Sequence, residues 1–212
     1  MKPLILVGGG GHCKSVIDVA EGAGYKILGI LDRPEEVGKK VLSYEVIGVD
    51  DDIHKYVDKA EFVITVGFIK NPSLRVKLYD LVKAAGGKLA TLIASTAYVS
   101  KYAELGEGTV VMHKAFVNAG AKVGSNCIIN TFCNIEHDAL IGDQCHISTG
   151  TIINGDCNVG MKVFIGSQSV LVNGINVGDD IVIGAGSVVR KSISEKGVYV
   201  GNPATLKVKN NG

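Results

Sequence analysis

The 212-residue sequence contains no tryptophan, no excess of charge of either sign and no long hydrophobic run. Because 22 basic residues balance 21 acidic ones, composition does not favour nucleic acid or an anionic membrane as a partner. No apolar run approaches the ~18 residues that a transmembrane helix requires. The first residues, MKPLILVGGGGH, lack the longer apolar region and the cleavage site of a signal peptide. We therefore expect a cytoplasmic protein that binds neither nucleic acid nor membrane.

Charged residues make up only 20% of the chain, which is low for a small soluble domain. Part of the surface is therefore expected to be covered, by a partner or by further copies of the same chain. The five cysteines include no C-x-x-C pair, so a zinc or redox motif is not indicated and no metal is expected. Four of them, Cys127, Cys133, Cys145 and Cys157, are separated by multiples of six residues.

The most regular feature of the sequence is a six-residue repeat. Every sixth position from residue 93 to residue 189 is Ile, Leu or Val, and glycine often follows it. The position two residues before the aliphatic residue is small or β-branched, and the four spaced cysteines occupy it, so we predict that they are buried packing residues. A six-residue period of this composition is typical of a β-helix. Three hexads for each triangular coil give a little over five coils.

The first ninety residues follow a different pattern. The segments PLILV, KILGILD and AEFVITVG are typical of buried strands, whereas HCKSVIDVAEGAGY and NPSLRVKLYDLVKAAGG have helical periodicity. The resulting βαβαβ order predicts a small parallel, Rossmann-like sheet. We therefore predict an α/β domain over residues 1–90 and an all-β parallel β-helix, with a C-terminal tail, over residues 91–212.

A glycine loop, Gly8 to Gly11, connects the first strand to the first helix. Such a loop is a potential anion site, because backbone N–H groups and the helix dipole point at whatever binds there. Asp32 ends the second strand, where a ribose contact often lies. The dinucleotide pattern G-x-G-x-x-G fails, however, because Cys13 occupies its third glycine position. A mononucleotide or a nucleotide sugar therefore fits better than NAD, and the alternative is a glycine turn that only packs the helix on the sheet.

The segment NTFCNIEHDALIG places Glu136, His137 and Asp138 within the repeat. Coil neighbours differ by 18 residues, so His137 stacks between Ala119 and Gly155, which leave room around the ring. A histidine beside carboxylates is held in one tautomer and made more basic, as a general base requires. We predict that His137 is this base.

A second histidine, His146, follows half a coil later. Within one chain it should not meet His137, but the two could face each other across an interface between copies. β-helices that pack side by side as a trimer would explain the low charge fraction, and a site at the seam would draw residues from two chains.

Several motifs occur in an order that resembles a known family: GGGGH, LD after the second strand, NPSLR, INTFCNIEHDALIG with CHIS, and GVYVGNPA. From residue 1 to about residue 204 the chain resembles the bacterial sugar acyltransferases of the sialic acid O-acetyltransferase type, which include N-acetyltransferases of nucleotide-linked 4-amino-4,6-dideoxy sugars. The resemblance implies that the β-helix is left-handed and forms a homotrimer. It also implies that acetyl-CoA, as co-substrate, binds in the groove between chains, and that the β-α-β domain binds the nucleotide.

The resemblance further implies roles for individual residues in N-acetylation of the sugar 4-amino group. By this resemblance, His137 occupies the position of the catalytic base. Asp138 occupies the position of its carboxylate partner, and Glu136 is the alternative partner. The implied acetyl-CoA contacts are His146, Gly155, Gly201, Asn202 and Pro203. The implied substrate contacts are Gly9, Gly10, Gly11, His12, Asp32, Arg33 and Asn130. The four-glycine loop and Arg33 depart from the family pattern, so UDP, GDP and CMP all remain open.

Three alternatives compete with this interpretation. The same residues would serve O-acetylation of a sialic acid or a related sugar hydroxyl. A zinc hydratase on a similar helix would need three convergent histidines, for which His113, His137 and His146 are the candidates. A non-catalytic nucleotide-sugar-binding module would bind the sugar and fail to bind CoA.

Overall fold

The structure, a computed structural model, describes residues 3–207. Its amino-terminal part is a five-stranded sheet with one helix on each face. The strands are β1 (Pro3–Val7), β2 (Lys26–Leu31), β3 (Lys40–Val41), β4 (Tyr44–Gly48) and β5 (Glu61–Ile64), in the spatial order β3-β4-β2-β1-β5. The helices are α1 (Gly11–Gly22) and α2 (Ser73–Ala84), and short 3₁₀ turns cover Pro34–Glu36 and Asp50–Lys55.

Strand β1 separates two cores because its side chains alternate between the two faces of the sheet. Leu4 and Leu6 pack in the cluster that contains the buried residues of α1. Ile5 and Val7 pack in the cluster that contains Leu78 of α2. Because β1 pairs in parallel with β2 and with β5, the carboxyl ends of these three strands meet at one edge of the sheet, beside the start of α1.

The predicted βαβαβ pattern missed β3 and β4. Strand β4 pairs in parallel with β2, but β3 pairs antiparallel with β4, so the sheet is mixed and not wholly parallel. These strands were not detected because β3 has only two residues and no α-helix separates β3 and β4 from β2. Helix α2 begins at Ser73, and Pro72 occupies the N-cap position and not the first helical position.

Residues 92–206 form the predicted β-helix. Seventeen two-residue strands, β6 to β22, recur every six residues, and each pairs in parallel with the strand 18 residues away. In order they are Leu92–Ile93, Tyr98–Val99, Glu104–Leu105, Val110–Val111, Phe116–Val117, Lys122–Val123, Ile128–Ile129, Asn134–Ile135, Leu140–Ile141, His146–Ile147, Ile152–Ile153, Asn158–Val159, Phe164–Ile165, Val170–Leu171, Asn176–Val177, Val182–Ile183 and Val188–Val189. Two further strands, β23 (Val198–Val200) and β24 (Thr205–Leu206), extend one of the three stacked sheets.

The interior of the β-helix confirms the predicted repeat. The second residue of most strands points inward, and the four spaced cysteines are buried in the same core. Ile93, at the open end of the first coil, is an exception and is 39% exposed. The cysteines are thus packing residues, as the repeat predicts.

The three sheets form three faces of different chemistry, set by the outward first residue of each strand. The covered face (β6, β9, β12, β15, β18, β21, β23 and β24) carries Val110, Ile128 and Phe164, all buried. The polar face (β8, β11, β14, β17 and β20) carries Glu104, Lys122, Leu140, Asn158 and Asn176. The apolar face (β7, β10, β13, β16, β19 and β22) carries Tyr98, Phe116, Asn134, Ile152, Val170 and Val188.

The corners follow a rule that the sequence analysis missed. All fourteen positions spaced by six from residue 108 to residue 186 have a positive φ, and nine of them are not glycine. Asn126, Asp138, Asp156 and Asp180 are among these nine, and Asn and Asp tolerate this conformation better than most residues. The glycine after each aliphatic residue has a different purpose. A Cβ on Gly106 would lie 2.5 Å from the backbone of Gly124 in the next coil.

The two parts of the chain share a core. Leu92, Ala94, Val110 and Met112 of the first coils pack in the same cluster as the buried side of α1, and the change of architecture falls between Ala84 and Leu92. Between residues 3 and 207, neither helix has the length and apolar character needed to cross a bilayer.

Candidate active site

The predicted site residues fall into four places. His137, Glu136, Asp138 and Gly155 lie at the corner between the apolar and polar faces. Gly201, Asn202 and Pro203 lie at the last coil. The glycine loop, Asp32 and Arg33 lie at the carboxyl edge of the sheet, and His12, His146 and Asn130 lie where the sheet domain meets the covered face.

At the first of these places, the His137 ring is fixed by Asp138. Nδ1 of His137 donates to Oδ2 of Asp138 at 3.0 Å, which leaves Nε2 as the ring acceptor. Asp138 has the left-handed conformation of the corner, with φ 58°, and this conformation turns its carboxylate toward the neighbouring ring. The bond to Asp138 and the charges of Asp156 and Glu136 raise the pKa of His137. Both side chains are more than half exposed, so the ring is a basic group open to a substrate.

Glu136, the rival partner, is held elsewhere. It accepts hydrogen bonds from Nδ2 of Asn118 at 2.7 Å and from Nδ2 of Asn134 at 3.0 Å. These bonds hold the pKa of Glu136 below its ordinary value. The 18-residue register therefore brings Asn118 onto Glu136, and Asp138 is the carboxylate that orients His137.

Gly155 lies against the free side of the imidazole. A Cβ at this position would be 2.6 Å from Cε1 and 2.7 Å from Nε2 of His137. The absence of a side chain at Gly155 therefore leaves space beside Nε2 for another group, in agreement with the predicted stacking.

The carboxyl-terminal loop packs on the last coil. Gly201 has φ +102°, its N–H donates to Oγ of Ser187 at 3.2 Å, and its carbonyl accepts from Val188 N–H at 2.9 Å. Pro203 lines a cavity of about 390 Å³ together with Arg190 and Lys191. Lys191 lies three coils from His137 in the register, about 14 Å at ~4.8 Å per coil. Sequence analysis missed these two cations, although their position at the end of the repeat was visible.

The glycine loop is shaped by Asp32. Oδ2 of Asp32 accepts the Gly9 N–H at 2.7 Å and Oδ1 accepts the Arg33 N–H at 2.8 Å. Gly10 is the N-cap of α1 and Gly11 is its first residue, and a Cβ added to either would have no atom within 4 Å. Their N–H groups have no intrahelical acceptor and lie beside this open space. Arg33 is exposed and paired with Glu35 at 3.2 Å.

His146, predicted to contact acetyl-CoA, lies on the covered face. It is only 8% exposed, and its Nδ1 bonds to the carbonyl of Phe68 at 2.7 Å. Its ring packs edge-on against Phe68 and Phe164. Because the sheet domain covers this face, His146 is mostly buried within its own chain, and its predicted contact with acetyl-CoA stays a prediction.

Asn130 and His12 lie beside His146. Nδ2 of Asn130 is 3.5 Å from Nε2 of His146, and the His12 ring centroid is 6.4 Å from that of His146. Burial lowers the pKa of His12 to about 3 and that of His146 to about 4. Both rings are therefore neutral, and His12 is less open to phosphate than its position in the sequence suggests.

The three histidines of the zinc alternative do not converge. His113 is held by Thr96 at 2.8 Å and by Asp18 at 3.0 Å, whereas His137 and His146 have the separate partners described above. Over residues 3–207, no group of three or more His, Cys, Asp or Glu side chains could hold a metal ion.

A cavity of about 620 Å³ lies between α2 and the β-helix corner at Lys162 and Asp180. None of the predicted site residues lines it. Its size alone assigns it no role.

Both parts of the chain are similar to known proteins. Residues 3–82 match the family described as PglD N-terminal domain, and residues 157–191 match the hexapeptide repeat of succinyl-transferase. The acetyltransferase domain of PglB from Neisseria gonorrhoeae FA1090 is 31% identical, with a TM-score of 0.90 over 98% of this chain and 100% of that chain. PerB from Caulobacter crescentus, solved in complex with CoA and GDP-perosamine, is 29% identical, with a TM-score of 0.91 over 98% of both chains.

Among curated proteins, a UDP-N-acetylbacillosamine N-acetyltransferase from Bacillus subtilis (strain 168) is 32% identical over 116 residues. The match covers 53% of this chain and 52% of the relative. A match to an uncharacterized mimivirus protein covers 20% of that protein. The matched region thus spans about half, or less, of the length of these curated relatives.

Proposed function

The chain belongs to the bacterial sugar acyltransferases of the sialic acid O-acetyltransferase type, in the subgroup of the nucleotide-sugar N-acetyltransferases, and from this we propose its reaction. It transfers the acetyl group of acetyl-CoA to the 4-amino group of a nucleotide-linked amino-dideoxy sugar. The observation that carries the proposal is the His137–Asp138 pair with Nε2 facing the space above Gly155.

His137 acts as the general base. An ammonium is not a nucleophile, so the sugar amine must be neutral when it attacks the thioester carbonyl, and Nε2 of His137 accepts its proton. Asp138 keeps the other proton on Nδ1 and stabilises the imidazolium that forms. The Gly155 N–H is the donor we assign to the tetrahedral oxyanion. CoA then leaves as a thiolate, which the same imidazolium protonates, and no covalent enzyme intermediate is required.

Acetyl-CoA is proposed to lie along the corner that begins at His137. The distance of about 14 Å to the level of Lys191 suits the extended pantetheine arm. Arg190 and Lys191, beside Pro203, would meet the phosphates, and Gly201 and Asn202 would close over that end. Both cations are exposed, so they are available to an anionic cofactor.

The nucleotide is proposed to bind at the glycine loop. The N–H groups of Gly10 and Gly11 point at a diphosphate at the start of α1. Asp32 holds the loop through Gly9, and Arg33 lies beside it. His12 is neutral and mostly buried, so it supplies no positive charge to the phosphate.

These two sites cannot meet within one chain. The sheet domain lies on the covered face, whereas His137 lies at the opposite corner, between the other two faces. A nucleotide sugar anchored at Gly10 and Gly11 must therefore reach the His137 of another copy. This arrangement is the reason that we place the reaction at an interface between subunits.

The apolar face supplies a surface for that interface. Its outward residues include Tyr98 and Ile152, which are 56% and 37% exposed, and Tyr98 stacks on Phe116 with centroids 5.0 Å apart. Exposed apolar surface of this extent marks a contact between proteins. We propose a homotrimer in which this face is buried and the His137 corner lies at the seam.

The first test is CoA release, followed with a thiol-reactive dye, from acetyl-CoA and a panel of UDP- and GDP-linked 4-amino-dideoxy sugars. All five cysteines are buried, so the native protein should contribute little background. His137→Ala is expected to lower kcat about 10²–10⁴-fold and to leave acetyl-CoA binding largely intact. His54→Ala is the matched control, because His54 is exposed and bonds only to the carbonyl of Asp51.

Release with one amino sugar that is lost in His137→Ala alone would support the proposal. No release across the panel, with acetyl-CoA still bound, would replace the amine by a sugar hydroxyl as acceptor. No binding of acetyl-CoA would leave a nucleotide-sugar-binding module.

Mixed assemblies test the interface. His137→Ala chains carry an intact glycine loop, and Asp32→Ala chains carry an intact His137. Co-expression is expected to restore activity that neither variant has alone, because some seams then combine both intact parts. Activity that stays at the sum of the two separate variants would contradict a shared site.

A further inference from the structure

Arg75 is a fully buried cation without a counter-ion. Its side chain on α2 is 1% exposed, and none of the ion pairs formed by residues 3–207 includes it. Burial lowers the pKa of Arg75 to about 10, so it remains charged at neutral pH. A buried charge destabilises the fold unless it is hydrogen-bonded, so the hydrogen bonds of Arg75 must offset this cost.

Those contacts connect the two parts of the molecule. Nη1 of Arg75 donates to the carbonyls of Ile64 at 2.7 Å and Val66 at 2.8 Å, both where β5 ends. Nε donates to the carbonyl of Asn126 at 3.1 Å, in a corner of the β-helix. Asn126 is itself fully buried, and its side chain bonds to Gln144 in the next coil at 2.5 Å. One planar guanidinium therefore joins the end of β5 to two coils.

The loop that Arg75 holds, residues 65–68, packs against the start of the glycine loop. Oγ1 of Thr65 donates to the carbonyl of Val7 at 2.9 Å and also to the carbonyl of Gly8. Gly8 has φ +106° and abuts the side chain of Val66. A displacement of residues 65–68 would therefore displace the turn that presents the N–H groups of Gly10 and Gly11.

The same loop is fixed on its other side by His146. Nδ1 of His146 bonds to the carbonyl of Phe68, and the Phe68 ring packs against the rings of His146 and Phe164, with centroids 5.7 and 6.3 Å away. The loop is thus held by Arg75 at one end and by His146 at the other. Neither residue touches the open space at Gly10 and Gly11.

We propose that Arg75 is a positioning residue for the nucleotide sugar. By joining Ile64 and Val66 to Asn126, it fixes the glycine loop relative to the β-helix, and so fixes the distance from the nucleotide anchor to the His137 of the neighbouring copy. This inference rests on the proposed function. It assigns to Arg75 no contact with substrate.

Two substitutions of Arg75 test the role. Arg75→Lys keeps the charge, but a single ammonium cannot reach the β5 carbonyls and Asn126 together. Arg75→Met removes the charge and keeps an unbranched side chain, which guards against failure to fold. Both variants are expected to lower kcat/KM for the nucleotide sugar about 10–10²-fold, as misplacement by about 1 Å does, with KM for acetyl-CoA unchanged. Amide exchange of residues 65–68 and 8–12 is expected to accelerate.

Lys83→Met is the matched control on the same helix. Lys83 also links α2 to the β-helix, through Glu107 at 2.6 Å, but both side chains are well exposed and distant from residues 65–68. Its kinetics and exchange should be native. A purely structural Arg75 would lower the active fraction and leave KM for the nucleotide sugar unchanged, which would overturn the inference.

Failure of the proposed function is recognised separately. If the native protein transfers no acetyl group, the exchange of residues 65–68 and the affinities for UDP and GDP, measured by calorimetry, still decide the role of Arg75. Native exchange and native nucleotide affinity in Arg75→Lys would overturn it.

Discussion

Replacing Gly155 by alanine is expected to displace the His137 ring without removing any functional group. The added methyl would lie 2.6 Å from Cε1 of His137, whereas ordinary contact begins at 3.4 Å. The ring must therefore move by about 0.8 Å. Since a misplacement of about 1 Å costs on the order of 10²-fold in rate, kcat is expected to fall about 100-fold. The backbone accepts alanine, because φ at Gly155 is not positive.

The assay is CoA release at saturating acetyl-CoA and nucleotide sugar. Alanine keeps the Gly155 N–H, so the loss reports the position of the ring and not a lost oxyanion donor. Gly22→Ala is the control, since its methyl would meet Ser95 at an ordinary 3.5 Å, and it should keep native kcat.

A double-mutant cycle separates displacement of His137 from obstruction of acetyl-CoA. In the His137→Ala background, Gly155→Ala should cause no further loss, because the group on which it acts is already absent. A native kcat in the single variant, or an equal loss in both backgrounds, would refute the assigned geometry.

Three further predictions follow from named contacts. Asp138→Asn removes the carboxylate charge from the hydrogen bond that is the main cause of the raised pKa of His137, so the acidic limb of the kcat/KM profile should move to lower pH and the plateau should fall; Asp180→Asn, at an exposed left-handed corner, should do neither. Asp32→Asn should raise KM for the nucleotide sugar and leave KM for acetyl-CoA unchanged, because the Asp32 carboxylate holds the glycine loop through the Gly9 N–H; an equal rise in both would contradict separate sites. The free energy of unfolding should decrease as pH falls from about 6.5 to about 4, because burial lowers the pKa of His146 from 6.5 to about 4 and the unfolded state takes up the proton first. The expected loss is roughly 3 kcal/mol. Urea titrations of the native protein and of His146→Phe should show that the free energy of unfolding depends less steeply on pH in the variant. Arg75 and the His12 ring also face His146, and the lowered pKa of His12 accounts for part of the pH dependence that remains.

Periodicity determined the β-helix, because each hexad is a local unit. The aliphatic residue, the small residue two positions earlier and the glycine after it all act on the next coil, 18 residues away, so the repeat itself encodes the contact. The same register predicted correctly that His137 faces Gly155 and that Glu136 stacks on Asn118. It also predicted the burial of the four spaced cysteines.

Contacts between the two parts of the chain have no such local signature. Arg75 appeared in the sequence as one cation in an amphipathic helix, and only its burial against Ile64, Val66 and Asn126 gives it a role. His146 is the outward first residue of its strand, yet the sheet domain covers it. Strand β3 was missed because a two-residue edge strand is stabilised by pairing and not by its own periodicity, and β4 was missed because it follows β3 without an intervening α-helix.

The choice between Glu136 and Asp138 was likewise decided by tertiary structure. Both carboxylates flank His137 in the sequence. Asn118 and Asn134 donate hydrogen bonds to Glu136, whereas Asp138, in its left-handed conformation, accepts from Nδ1 of His137. The sequence alone determined the coil and the glycine loop, and it predicted His137 as the base, because these depend on local pattern. Which carboxylate bonds to His137, and which face of the β-helix the sheet domain covers, depend on where separate segments pack, and only the folded chain fixes that.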